Sequence, residues 1–356
     1  MKKFMLLFLA FTAAAGCSVQ DEAQEDARET AAGENKRAEI IADQLDIPWS
    51  LNFSSGVLYL SERTGSIVKV EGEKKTRMKT ELEKPFADAA EAGLLGLALH
   101  PDFLENRKAF AYYTYDNDGK AYNRLIELQL DKDTWKERKT LLDKIPGGPV
   151  HQGGRIEIGP DQKLYATAGD ASEDQIAQDP EQFGGKILRM NLDGTIPEDN
   201  PFEHSYVFSY GHRNPQGISW TADEVMYSTE HGPSGYDEIN RIEPGGNYGW
   251  PAITGDEKKE NMKTPIAHSG NYSWAPSGSA ISGETLYYGG LGGQGIYKFQ
   301  TGSEKVEKVL SGYGRIRDVL LEGDHLYFIT NNTDGRGNPK ADDDKLYKIS
   351  LKELSS

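Results

Sequence analysis

The chain has 356 residues, enough for two ordinary domains or one large β-domain, and its 39 Gly and 18 Tyr suit short strands and tight turns better than long helices. Asp and Glu outnumber Lys and Arg by 56 to 40, and a net charge of −16 excludes the basic footprint that nucleic acid requires. The balance favours a soluble domain acting on a small molecule.

Residues 1–16 read as a targeting segment. Lys2 and Lys3 precede an apolar stretch over residues 4–13 that is too short to span a bilayer. Ala14-Ala15-Gly16-Cys17 resembles a bacterial lipoprotein signal, with Cys17 as the lipidated residue. That resemblance implies an exported, cell-envelope lipoprotein whose membrane contact runs only through this anchor; an ordinary secretory signal is the alternative. Cys17 is the sole cysteine, so no internal disulfide forms. Residues 17–37 are polar and acidic and cannot bury enough surface to order themselves. They read as a flexible tether, with a short solvated helix as the alternative, and the folded domain is expected over 38–356.

From residue 38 one hairpin recurs. An aromatic strand, often Leu-Tyr, is followed by a polar loop and an alternating apolar strand. Val57-Leu58-Tyr59-Leu60 leads to Ile67-Val68-Lys69-Val70, and Phe110-Ala111-Tyr112-Tyr113 to Leu125-Ile126-Glu127-Leu128. Leu164-Tyr165-Ala166-Thr167 leads to Ile187-Leu188-Arg189-Met190, and Val225-Met226-Tyr227-Ser228 to Glu238-Ile239-Asn240-Arg241-Ile242. Leu286-Tyr287-Tyr288 leads to Ile296-Tyr297-Lys298-Phe299, and Leu326-Tyr327-Phe328-Ile329 to Leu346-Tyr347-Lys348-Ile349. Six copies at roughly 40 to 60 residues predict an all-β fold, a six-bladed β-propeller of four-stranded antiparallel blades. A pair of β-sandwiches would not explain six copies of one hairpin. No long 3.6-residue apolar period occurs, so little helix is expected.

Polar residues suited to chemistry gather in five loops. The first, Pro149-Val150-His151-Gln152-Gly153-Gly154-Arg155, flanks a histidine with glycines, and His151 is a candidate general base. The second, Thr167-Ala168-Gly169-Asp170-Ala171, offers Asp170 to fix the imidazole tautomer, unless it is merely a turn. The third, Tyr210-Gly211-His212-Arg213-Asn214-Pro215, supplies Arg213 for a planar anion and Asn214 as donor and acceptor. The fourth runs Glu230-His231-Gly232-Pro233-Ser234-Gly235-Tyr236-Asp237-Glu238. Its Gly and Pro carbonyls, with acids nearby, could hold a hard cation such as calcium. The fifth, Gly314-Arg315-Ile316-Arg317-Asp318, places two arginines on one strand face, either toward an anionic ligand or into solvent. Gly290, Gly292 and Gly295 match the dinucleotide spacing, but a strand follows where a helix is needed. Asp116-Asn117-Asp118-Gly119 reads as a hairpin turn and not a calcium loop.

Taken together, these loops resemble the soluble aldose/glucose dehydrogenases that use pyrroloquinoline quinone. The resemblance also rests on Ile47-Pro48-Trp49-Ser50-Leu51 and Gly93-Leu94-Leu95-Gly96-Leu97-Ala98-Leu99-His100-Pro101-Asp102-Phe103, and it runs from about Asp46 to Leu351. It implies oxidation of an aldose at the anomeric carbon, with His151 as base, Asp170 supporting it, and hydride passing to the quinone. It implies quinone contacts from Glu91, His151, Arg213, Asn214, His231, Arg315 and Arg317, and calcium on the carbonyls of Gly232 and Pro233. Partners would be a sugar and an electron acceptor, with no nucleic acid. Two positions depart from the family pattern: Glu91 stands where many members carry Gln, and Gly292 where a Lys is frequent. Both lower the positive potential toward an anionic cofactor. A non-catalytic propeller binding carbohydrate or protein, and a calcium-dependent lactone hydrolase, are the competing readings; the second lacks converging acidic ligands.

Overall fold

The computed structural model describes residues 37–355. The expected signal segment, Cys17 and all but the last residue of the tether lie outside the described residues. The described chain is almost wholly β, with only short helices at Phe103–Asn106 and Leu351–Ser355 and a 3-10 turn at Asp174–Gln178. Among the described residues no helix is long and apolar enough to cross a membrane.

Every strand of the sequence-level hairpins forms, each pair being the two middle strands of an antiparallel four-stranded run. Three runs stand as separate sheets in chain order. One is Ile156–Ile158, Leu164–Ala168, Lys186–Met190 and Val207–Tyr210; the next is Pro215–Trp220, Met226–Glu230, Glu238–Ile242 and Ala267–His268. The third is Pro276–Ser282, Thr285–Gly290, Gly295–Gln300 and Lys305–Ser311. A fourth sheet joins the two ends of the described residues, because Glu39–Ala42 pairs with Leu346–Ser350 beside His325–Thr330 and Ile316–Glu322. The remaining eight strands form one sheet of two antiparallel runs, Pro48–Ser54 to Lys74–Glu81 and Leu94–Leu99 to Thr134–Pro146. Their outer strands pair in parallel, Lys79 with Thr134 and Glu81 with Lys136. The fold is a β-propeller.

The repeated Leu-Tyr pair has a packing cause. A sheet covered on both faces buries alternate side chains in opposite directions. Leu164 and Tyr165, and Leu286 and Tyr287, are each at most 6% exposed, against different neighbours. Each leucine contributes about 2 kcal/mol by leaving water. The Asp118-Gly119 hairpin also forms as read, with both residues at positive φ and Asn117 paired with Lys120.

Candidate functional site

Antiparallel pairing brings the start of each first strand beside the end of the second. Ile156 faces Ala166, Pro215 faces Glu230, and Ile316 faces Thr330. Residues 151–155, 169–170, 211–214, 231–233 and 315 therefore all emerge at one end of their sheets. Side chains tie the first strands of different sheets together there. Arg155 reaches the Gln216 carbonyl (3.0 Å) and the Asp318 carboxylate (2.8 Å), and its guanidinium lies over the Trp49 ring at 4.5 Å.

His151 sits at φ +64°, turned toward Asp170. Its Nδ1 is 2.8 Å from Asp170 Oδ1, so the carboxylate accepts a hydrogen bond from Nδ1–H and leaves the Nε2 lone pair available. The close backbone approach explains one neighbouring glycine. A Cβ on Gly169 would stand 1.9 Å from the His151 carbonyl oxygen, so no side chain fits. Asp170 is fully buried and held by two further donors, the Ser172 amide (2.8 Å) and Trp250 Nε1 (2.9 Å). Its own amide donates to the Arg213 carbonyl. Trp250 escaped the sequence reading. Its only local signal is an indole after Gly-Asn-Tyr-Gly, and its partner lies 80 residues away.

The 211–214 loop serves two purposes. His212 is a structural residue: it is buried, it bridges Glu230 (2.9 Å) and Ser209 (2.8 Å), and it stacks on Tyr248. Asn214 turns inward and accepts the Gly153 amide at 3.0 Å, which locks this loop to the His151 loop. Arg213 lies over the Trp250 ring at 5.3 Å and donates to the carbonyls of His231 (3.2 Å) and Gly232 (2.9 Å). Buried Nε of Arg213 and Nε2 of His231 have no partner among the described residues. Burial pulls the His231 imidazole down to about 4, against Asp237 and Glu91.

A cavity opens beside the dyad, lined among others by Trp49, Glu91, Gly153, Gln216, Arg317 and Arg336. Glu91 accepts the His151 amide at 2.9 Å and pairs with Arg336 at 2.8 Å. Burial pushes the Glu91 carboxyl up, but the His151 amide and the Arg336 guanidinium outweigh it and hold the group below the ordinary carboxylate range. The extra negative charge noted in the sequence is thus balanced by an arginine 245 residues away. The two arginines of the fifth loop differ. Arg315 is paired with Asp334 at 2.8 Å and reaches the Leu291 carbonyl, next to Gly292. Arg317 bonds only the neutral Asn331, Gln216 and Ser277 among the described residues, and burial pulls its guanidinium down to about 9. A side chain at Gly292 would start 3.0 Å from Ser273 Oγ, so this corner is tight.

The donor set fits an anionic quinone carrying carboxylates. A buried guanidinium without a carboxylate partner, and buried unpartnered nitrogens on Arg213, Arg315 and His231, are what such a ligand would satisfy. The fit to calcium is partial. Gly232 offers a carbonyl, but it already accepts Arg213, and no cluster of three or more His, Cys, Asp or Glu occurs among the described residues. A calcium there needs most of its oxygens from outside the chain.

Fold and site together define a class: a β-propeller with a histidine–aspartate dyad beside a cationic cavity at the strand starts. Residues 45–346 match the Glucose / Sorbosone dehydrogenase family, and the chain belongs to it. The quinoprotein glucose dehydrogenase B of Acinetobacter calcoaceticus is 36% identical over 260 residues, 63% of this chain and 54% of that protein, so the match spans about half of the relative's length. The aldose sugar dehydrogenase of Escherichia coli K12 is 30% identical over 345 residues, covering 83% of this chain and 90% of the relative. The pyrroloquinoline quinone-bound aldose sugar dehydrogenase of Streptomyces coelicolor is 34% identical. It superposes with a TM-score of 0.83 over 90% of this chain and 99% of that one.

Proposed function

We propose that this protein is a quinoprotein oxidoreductase that oxidises an aldose at its anomeric carbon, built on a six-bladed propeller whose eight-stranded sheet counts as two blades. The observation that carries the reading is the His151–Asp170 dyad placed beside the cavity of buried Arg317, which has no carboxylate hydrogen-bond partner among the described residues. Bound pyrroloquinoline quinone would supply a hydride acceptor. Arg317, Arg213, Asn214 and His231 would hold it, with Arg315 behind them and Glu91 at the edge.

His151 Nε2 takes the proton of the anomeric hydroxyl, which is general-base catalysis worth about 10²–10⁴-fold. Asp170 keeps the imidazole in the tautomer and orientation that this requires. Arg213 donates hydrogen bonds where negative charge develops. Calcium bound at Gly232 and Pro233 belongs to the same proposal, and Arg213 must then release the Gly232 carbonyl. Cys17 would carry a lipid anchor holding the domain in the cell envelope.

The test is dye reduction by purified protein given calcium, the quinone and a panel of aldoses. Turnover by wild type, abolished in His151→Ala with quinone binding retained, is expected. No turnover by wild type, or full turnover by the variant, overturns the reading.

A further inference from the structure

Oxidising an aldose to its lactone releases two electrons and two protons, and the electrons must leave for a second partner. One surface, continuous in the chain with the Asp170 loop, has the features of a docking site. A groove runs between residues 180–183 and 201–206, floored by Phe183, Phe202 and Tyr206 and walled by Pro180 and Pro201. Its aromatics are only partly covered: Phe183 meets Tyr206 edge-on at 6.1 Å, and Phe202 meets Tyr210 at 5.9 Å.

The stretch from residue 172 to 206, which forms the groove, carries exposed acids and no exposed lysine or arginine. Glu181 and Glu203 line it, and Glu173, Asp174, Asp179 and Glu198 are exposed on the same stretch of chain. The only Lys and Arg between residues 172 and 206 are Lys186 and Arg189, and both are buried. An apolar floor inside a charged rim is the anatomy of a transient interface, in which charge steers encounter and the apolar contact is small.

The groove is also fastened to the site. Its first wall lies on the loop that leaves Asp170 and returns at Lys186. Lys186 Nζ pins that loop through the carbonyls of Ile176 (2.8 Å), Ala177 (3.0 Å) and Gly184 (2.6 Å). The Ala177 carbonyl also accepts the Gly211 amide (2.9 Å), and Gln178 donates to the Trp250 carbonyl (2.7 Å). The other wall reaches Tyr210, directly before the 211–214 loop. A partner seated here contacts segments tied to Asp170, Arg213 and Trp250 by these hydrogen bonds, which lowers the ordering cost of binding.

We propose that this groove docks the electron acceptor, a small redox protein with a basic ring around the exposed edge of its redox group. The proposal rests on the dehydrogenase reading. Each sugar oxidised would reduce two one-electron acceptor molecules and release two protons to solvent.

The probe is mitochondrial cytochrome c, small, basic and one-electron. Sugar-dependent cytochrome c reduction by the calcium- and quinone-loaded protein is followed against ionic strength, with a small neutral dye in parallel. In Glu181→Lys/Glu203→Lys the low-salt rate with cytochrome c should fall about tenfold and its salt dependence flatten, because steering contributes about 10–10³-fold. Dye reduction should not change. Glu73→Lys/Glu105→Lys reverses two exposed acids elsewhere and should behave as wild type in both assays. Equal losses in the two variants, or no loss in the first, overturn the proposal while leaving the dehydrogenase reading intact. If the dye assay fails for wild type, that reading falls, and calorimetry of cytochrome c with the unloaded protein decides the groove alone. Binding lost only in the Glu181/Glu203 variant supports it, and binding lost equally in both variants, or in neither, refutes it.

Discussion

Trp250→Phe separates a brace on the dyad from a brace on the fold. The change removes the Nε1–H that meets Asp170 Oδ2 at 2.9 Å and keeps an aromatic face under Arg213. Asp170 is buried and holds three donors, from His151, Ser172 and Trp250. A hydrogen bond to a charged group contributes about 1.5–3 kcal/mol, so its loss should cost about 2 kcal/mol. At 2–4 °C per kcal/mol for a chain of this size, Tm should fall by about 4 °C. The same loss frees the carboxylate that aims His151. If the 2 kcal/mol falls on the chemical step, kcat drops about 30-fold at 1.36 kcal/mol per decade. The sugar KM should stay within about twofold, because Nε1 is committed to Asp170. Dye-linked kinetics on the loaded enzyme and thermal melts of the unloaded one measure both numbers. Trp250→His, which can still offer a ring N–H, should recover part of kcat. A Trp250→Phe enzyme with lowered Tm but unchanged kcat would show that the indole braces only the fold, and the dyad argument would fail.

Arg317→Met should weaken quinone binding about 100-fold, the loss of roughly 3 kcal/mol from a buried charged contact, as read by calorimetry. Because burial lowers the Arg317 guanidinium to about 9, wild-type affinity should decline as pH rises through that value, and the variant's should not. Glu157 follows Arg155 on the strand Ile156–Ile158, and burial, then Asp318, push its carboxyl up to about 8 against Arg155. The folded chain thus keeps a proton that the unfolded chain releases near 4.5, and this stabilisation is lost as pH rises through 8. Glu157→Gln should match wild-type Tm near pH 4.5 and exceed it by at least about 2 °C above pH 8; parallel Tm curves across that range would refute the burial argument. Cys17→Ser should move the protein from the membrane fraction to the soluble fraction on cell fractionation, whereas retention at the membrane would remove Cys17 as the anchor.

The parts of this molecule legible in the sequence are those whose physical cause is local. Each Leu-Tyr strand betrays itself, because a strand buried on both faces must carry large apolar groups at consecutive positions, and the six copies gave the propeller. The outer strands left no such mark. Lys74–Glu81 reads KKTRMKTE with one buried residue, Met78, and its parallel pairing with Thr134–Pro146 depends on a neighbour more than 50 residues away. Glu39–Ala42 becomes a strand only because Leu346–Ser350 lies beside it.

The site divides along the same line. His151, Asp170, Arg213 and Asn214 stand in glycine-rich loops at strand starts and ends, where a polar residue flanked by glycines draws notice by itself. Trp250 and Arg336 do not, since neither is unusual until its partner arrives from another sheet. The charge argument shows what this omission costs. Counted along the chain, Glu91 and Gly292 strip positive potential from the cofactor pocket. Counted in space, Arg336 neutralises Glu91, while Arg317 is left without a carboxylate partner among the described residues. A carboxylate that is already paired, and that spends its second oxygen on the His151 amide, acts on the base through the backbone and no longer repels an anion. Exchanging Gln for Glu at this position therefore changes what holds the catalytic loop more than it changes what the pocket attracts.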